Sequence, residues 1–218
     1  MQERLHNLLK FRAFVGSGFV MDAQAVEQAK ERLRKADKAL YALKTATCYE
    51  EAEEAWSDFL LAASTIYSKL EQGAKQAKGK SAPWFGRKKK ERKDDPLLRF
   101  LHHARNSDEH GIKRVAARGG NARGMNGKPL MFNEYEECIM EYRDSVTGEL
   151  KTTPAILHGP SLQMVRVHDD RFGDYCDPPI QHLGKTIEVE DNSLIGVASL
   201  GFTFLTNLVA EAETLVPR

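Results

Sequence analysis

Two long runs of helical period stand end to end in this chain with almost nothing between them, and that arrangement restricts the fold more than any other feature. Asp22 to Thr45, DAQAVEQAKERLRKADKALYALKT, is rich in strong helix formers and places Val26, Ala29, Leu33, Ala36, Leu40 and Leu43 on one stripe, with Asp22 available as N-cap. Thr47 to Gln76 repeats the pattern. Glu50, Glu51, Glu53 and Glu54 occupy its early turns, where acids complement the helix dipole, and Trp56, Phe59, Leu60, Ala63, Ile66, Tyr67 and Leu70 form its apolar face. A link this short makes the two helices antiparallel neighbours, so the spacing predicts a helical hairpin within a bundle.

Residues 2 to 14 have Leu5, Leu8, Leu9, Phe11 and Phe14 near helical spacing before Gly16 and Gly18, which predicts a short first helix. Asp95-Pro96 starts another, with Leu97, Leu98, Leu101 and Ala104 as its apolar side and Gly111 as its stop. Beyond the Gly-rich ARGGNARGMNGKP, extended segments are expected at 130–143, 149–157, 162–167 and 185–190, the first two joined by a turn at Ser145-Val146-Thr147-Gly148. A final helix from about Ser193 to Glu213 is apolar around much of its circumference, as in a central bundle helix or one shared with a second subunit. The expected class is mainly α, a bundle with a small antiparallel β-sheet inserted before the last helix (α+β). Its parts are a helical bundle at 1–111, a β-rich insertion at 112–192 and a returning helix at 193–214. Leu215-Val216-Pro217-Arg218 reads as an expression-tag remnant.

Cys48, Cys138 and Cys176 are far apart and in no CxxC pair, so neither a disulfide framework nor a zinc cluster is indicated, and a reducing cytoplasm fits best. The charged N-terminal stretch MQERLHNLLKFRAF is wrong for a signal peptide, and Leu194 to Val209 is too short to span a bilayer, so no membrane is expected. Lys+Arg total 32 against 31 Asp+Glu, so a polyanionic partner would be bound by a local patch rather than by bulk charge. One such patch exists. Lys75, Lys78, Lys80, Arg87, Lys88, Lys89, Lys90, Arg92 and Lys93 surround Trp84 and Phe85, with Glu91 the one acid among them. Two accounts stand side by side: a solvated loop, or an arm that contacts RNA phosphates and stacks a base on Trp84.

The helix that follows ends in LLRFLHHARNSDEHG. Arg105, Asn106 and His110 form the string R-N-S-D-E-H beneath an LLxFLxxA apolar face. RNA cleavage through its own 2′-hydroxyl needs a proton acceptor, a proton donor and positive charge on the phosphate. Histidine suits the first two and the planar arginine fork the third. Five helical steps set Arg105 and His110 about 140° apart, so either the helix deforms or two subunits contribute. Asn106 lies four residues before His110 and can fix the imidazole tautomer, while His103 shares that face as a second acid/base group. The bland account pairs Arg105 with Glu109 at i,i+4 and leaves His102 and His103 as partly exposed interface residues. No HExxH or His-x-His pattern supports a metal, and HDDRFGDYCD at 168–177 lacks calcium-loop spacing, so it is expected to be a structured loop.

The R-N-x3-H string and its helical setting resemble the HEPN superfamily, whose ribonuclease members carry R-x(4–6)-H, often with Asn, Asp or His after the arginine. The resemblance covers the helical parts, about 22–111 and the last helix. It implies a metal-independent endoribonuclease without cofactor, of toxin or host-defence type. It further implies a homodimer with the motif at its interface, an antitoxin or other protein partner, and catalytic roles for Arg105, Asn106 and His110. Two other readings remain open: a non-catalytic module binding a nucleotide or a protein, and a purely structural dimer.

Overall fold

The computed structural model describes residues 20–77, 81–110, 114–169, 173–188 and 193–217, with only the backbone of His110 included. The expected helix at 2–14, Lys78, Lys80, the stop at Gly111 and the end of the 185–190 segment lie outside the described residues.

Helix α1 (Ala23–Thr45) starts where Asp22 accepts a hydrogen bond from the Ala25 N–H at 2.8 Å, and α2 (Tyr49–Gln76) returns antiparallel along it. They pack tightly at Gly73, where an added Cβ would stand 2.5 Å from the Ala25 Cβ and 3.0 Å from the Met21 sulfur. Because Ala25 cannot swing aside, Gly73→Val must push the helices apart. The expected loss is about 1–3 kcal/mol in urea unfolding, the usual cost of overpacking.

While Lys75 belongs to the last turn of α2, the basic run from Arg87 to Lys93 lies in a third helix, α3 (Ala82–Asp94), and not in a loop. Pro83 lies in its first turn, and lysine and arginine are good helix formers. Trp84 and Phe85, 3% and 4% exposed, hold it to the core, Phe85 edge-on to Tyr67. Helix α4 (Pro96–His110) follows, with Asp95 accepting from the Leu98 N–H at 2.9 Å and burying Leu97, Leu98, Phe100, Leu101 and Ala104.

In place of one inserted sheet there are, among the described residues, four two-stranded antiparallel ones. Strand β1 (Ala116–Gly119), overlapping the start of the expected Gly-rich connection, pairs with β4 (Ser161–Met164). The hairpin β2 (Tyr135–Arg143) and β3 (Leu150–His158) turns through Asp144, whose carboxylate accepts from the Val146 and Thr147 N–H groups. β2 begins later than expected because the chain first turns at Met131–Glu134, with Asn133 at φ 61°. β5 (Val167–Asp169) pairs with β6 (Asp174–Cys176), and β7 (Gln181–His182) with β8 (Lys185–Thr186). Part of this region is continuous with the helical core. Val115, Ala116, Leu162, Val167, Cys176 and Ile187 join the same buried cluster as the helices.

Helix α5 (Leu194–Glu213) packs on α1, α2 and α4, its Gly201 lying against Leu101. Its 20 residues, with a mean hydropathy of 1.5 in its most apolar window, are long and apolar enough to cross a membrane by length and composition, contrary to the expectation from 194–209. Its apolar side is used for helix packing, and Thr203, Thr206 and Asn207 face outward. The supposed tag remnant also takes part. The Leu215 carbonyl accepts from the Met21 N–H at 3.0 Å, and Leu215 and Val216 pack against the core.

Candidate functional site

Successive side chains of α4 point to two different neighbours. His103 and Asn106, three residues apart and so on one face, turn toward β5, where both bond the same oxygen of Asp169. The His103 Nδ1 lies 2.9 Å from Asp169 Oδ2, and the Asn106 amide donates to it at 2.8 Å. Ser107 donates to the backbone carbonyl of His168 beside them. His103, Asn106 and Asp169 are all buried, so this is an interior polar network, and His103 is not the accessible acid/base group expected of it.

The other face of α4 opens into a cleft of about 410 Å³ between α2, α3 and α4. Tyr67 and Glu71 of α2, Lys89 and Arg92 of α3, and His102, Arg105 and Asn106 of α4 line it. Two sequence features that stand apart along the chain, the basic run and the R-N motif, thus share one wall-to-wall site. The Arg92 guanidinium carbon sits 4.4 Å from the Tyr67 ring centroid, a cation–π contact that holds the fork in place. Burial raises the Tyr67 phenol, so it stays protonated, and burial lowers Arg92 somewhat from its ordinary high value. His102 is pushed down to about 4, first by burial and then by the positive charges of Arg92 and its neighbours. The ring is therefore neutral at physiological pH.

Arg105 pairs with Glu109 and donates to the Asn106 carbonyl oxygen at 3.3 Å. Among the described residues, its Nε and the His102 Nδ1 are buried without a hydrogen-bond partner. Such orphaned groups cost stability unless something satisfies them. A larger open groove of about 930 Å³ between α1 and α2 has Arg32, Lys35 and Lys38 opposite Glu51, Glu54 and Asp58. Its mixed charge does not select an anion. No described residue of the motif lines it.

Compared with protein-family models, with curated proteins and with solved structures, the chain has no significant match.

The other residues of the basic run are less available than their charge suggests. Lys88 bridges Glu211 at 2.7 Å and Glu91 at 3.2 Å, Lys90 pairs with Asp94 at 2.5 Å, and Lys75 meets Glu71 at 3.1 Å. Lys89 also reaches Glu71, at 3.3 Å, from the rim of the cleft. Lys93 and Arg87 are exposed on the outer surface of α3. Trp84 cannot stack a base: its ring is buried and its Nε1 donates to Glu211 at 2.6 Å. Helix α4 continues without deformation through His110, so the Cα positions of Arg105 and His110 remain about 140° apart around its axis. Tyr67 and Asp169 were not identified as site residues from sequence. Asp169 lies in the acidic stretch expected to be a loop, which here forms the β5–β6 hairpin.

Proposed function

We propose that the chain is a metal-independent endoribonuclease of HEPN type, with the α2–α3–α4 cleft as the seat of the scissile phosphate. The observation that carries this reading is the convergence of Arg92 and Lys89 with Arg105 and His102 in one open cleft. Two guanidinium forks and an ammonium make a site for a phosphate, because arginine binds its oxygens bidentately and the partly dry surroundings strengthen the attraction. Glu71 and Glu109 hold the cations in the free protein, and an incoming phosphate replaces those carboxylates.

In this reaction the 2′-oxygen attacks the adjacent phosphorus as a base removes its proton. The 5′-oxygen leaves with a proton from an acid, giving a 2′,3′-cyclic phosphate and a 5′-hydroxyl. Arg105 and Arg92 stabilise the charge that grows on the phosphate. His110 is the acid/base group; it stands about 140° around a continuous helix from Arg105, which favours a site built from two copies of the chain, as the homodimer of the family resemblance implies. The toxin or defence role, with a protein antitoxin, follows from the family resemblance.

The test is digestion of a mixed RNA pool in EDTA with analysis of product ends. Wild type is expected to leave cyclic phosphates, and Arg105→Ala to lose about 10²–10³ in rate, the effect of removing one transition-state donor. His110→Ala should be at least as damaging. A second reading, a non-catalytic phosphate- or nucleotide-binding module, is favoured by the burial of His103 and Asn106 on Asp169. It predicts RNA binding that depends on Arg92 and Arg105 with intact RNA at every time point.

A further inference from the structure

We propose that Asp169 is a positioning residue for Arg105, acting through Asn106. The three form a relay of side chains from the β5–β6 hairpin to the cleft. The carboxylate of Asp169 accepts from the Asn106 Nδ2 at 2.8 Å, and the Asn106 Oδ1 accepts from an Arg105 Nη at 3.3 Å. An ionised carboxylate can only accept, so it forces the amide's NH2 group toward itself and the amide's oxygen toward the guanidinium. Were the amide reversed, its NH2 would face Arg105, two donors head to head. Asp169 therefore decides whether Asn106 attracts or repels the arginine. The His103 ring, 2.9 Å from the same carboxylate oxygen, and Ser107, bonded to the His168 carbonyl, keep the hairpin seated on α4 while this is done. A residue of the β region thus sets the orientation of a motif that lies 63 residues earlier.

This inference rests on Arg105 being the phosphate-binding group of the cleft, and the experiment separates the two claims. Arg105 guanidinium and Asn106 side-chain amide resonances are recorded by ¹⁵N NMR, and affinity for a single-stranded RNA oligonucleotide is measured alongside. The variants are Asp169→Leu, Asp169→Asn, Asn106→Leu, Arg105→Ala and the double Asp169→Leu/Arg105→Ala. In Asp169→Leu the Asn106 and Arg105 signals should shift and broaden, and RNA affinity should fall roughly tenfold, the size of one lost charge-assisted hydrogen bond. Asp169→Asn keeps an acceptor oxygen and should recover most of both. The double variant should bind no worse than Arg105→Ala alone, because the relay ends on that arginine. Additive losses, or an Arg105 signal unmoved in folded Asp169→Leu, would overturn the proposal. Should Asp169→Leu fail to fold, Asn106→Leu breaks the same relay and is judged by the same Arg105 signal. RNA affinity indifferent to Arg105→Ala, with the Arg105 signal still moved by Asp169→Leu, would sink the RNA reading and support the positioning role.

Discussion

Trp84→Ala should lower the unfolding free energy by about 3–5 kcal/mol, the loss seen when a large aromatic is cut from a packed core. The indole is 3% exposed, and its N–H is bonded to Glu211 of α5, the same carboxylate group that binds Lys88. Trp84→Phe retains most of the apolar contact and loses the N–H, so it should cost about 1–2 kcal/mol. Urea unfolding of the two variants checks both figures. An aromatic platform for RNA bases would behave in the opposite way, with weakened RNA binding and unchanged stability. Equal stability of wild type and Trp84→Ala would therefore return Trp84 to the role its sequence setting suggested.

His102 provides the second large effect, and its sign follows from which state binds the proton. An exposed imidazole in the unfolded chain titrates near 6.5, whereas the folded ring titrates near 4. Between those values the unfolded chain takes up a proton that the folded protein refuses, so acid favours unfolding. The stability held by the neutral ring is complete above about pH 6.5 and declines as the pH falls toward 4. Water still reaches part of the ring, so the decline assigned to it is on the order of 2 kcal/mol, below the full linkage value. His102→Gln should remove that component. The measurement is the difference between wild-type and variant unfolding free energies from pH 7.5 to 4.5. The Asp95–His182 pair is common to both proteins and drops out of the difference, whereas His103 and Asp169, which act on His102, belong to the component being measured. A difference that does not change across this range would mean that the ring is protonated as easily in the fold as out of it.

The elements that could be read from the sequence are those whose signal is local. The stripes from Val26 to Leu43 and from Trp56 to Leu70 form α1 and α2 because each apolar residue's neighbours on the face lie three or four positions away. The turn before Gly148 was legible for the same reason. The basic run misled because its charge density hid a helix that has Pro83 in its first turn and Trp84 and Phe85 as its buried apolar anchors. Arg105, Asn106, Lys89 and Arg92 were legible as chemistry. Their meeting in one cleft was not, since it depends on the crossing of three helices. Asp169 carried no signal at all: its partners His103 and Asn106 are 66 and 63 residues away, and nothing in HDDRFGDYCD marks which acid is buried.

The seat of β5 on α4 also bears on how far this chain can be trimmed. A fragment ending at Gly111 would contain the whole R-N-x3-H string and would look like a minimal catalytic module. It would lack Asp169 and the His168 carbonyl, leaving His103, Asn106 and Ser107 facing water in place of their partners. It would also lack α5, which packs on α1. Modularity in this protein does not follow the order of the sequence: what looks like an appendage between two helices is a buttress, and cutting it away leaves the motif without its support.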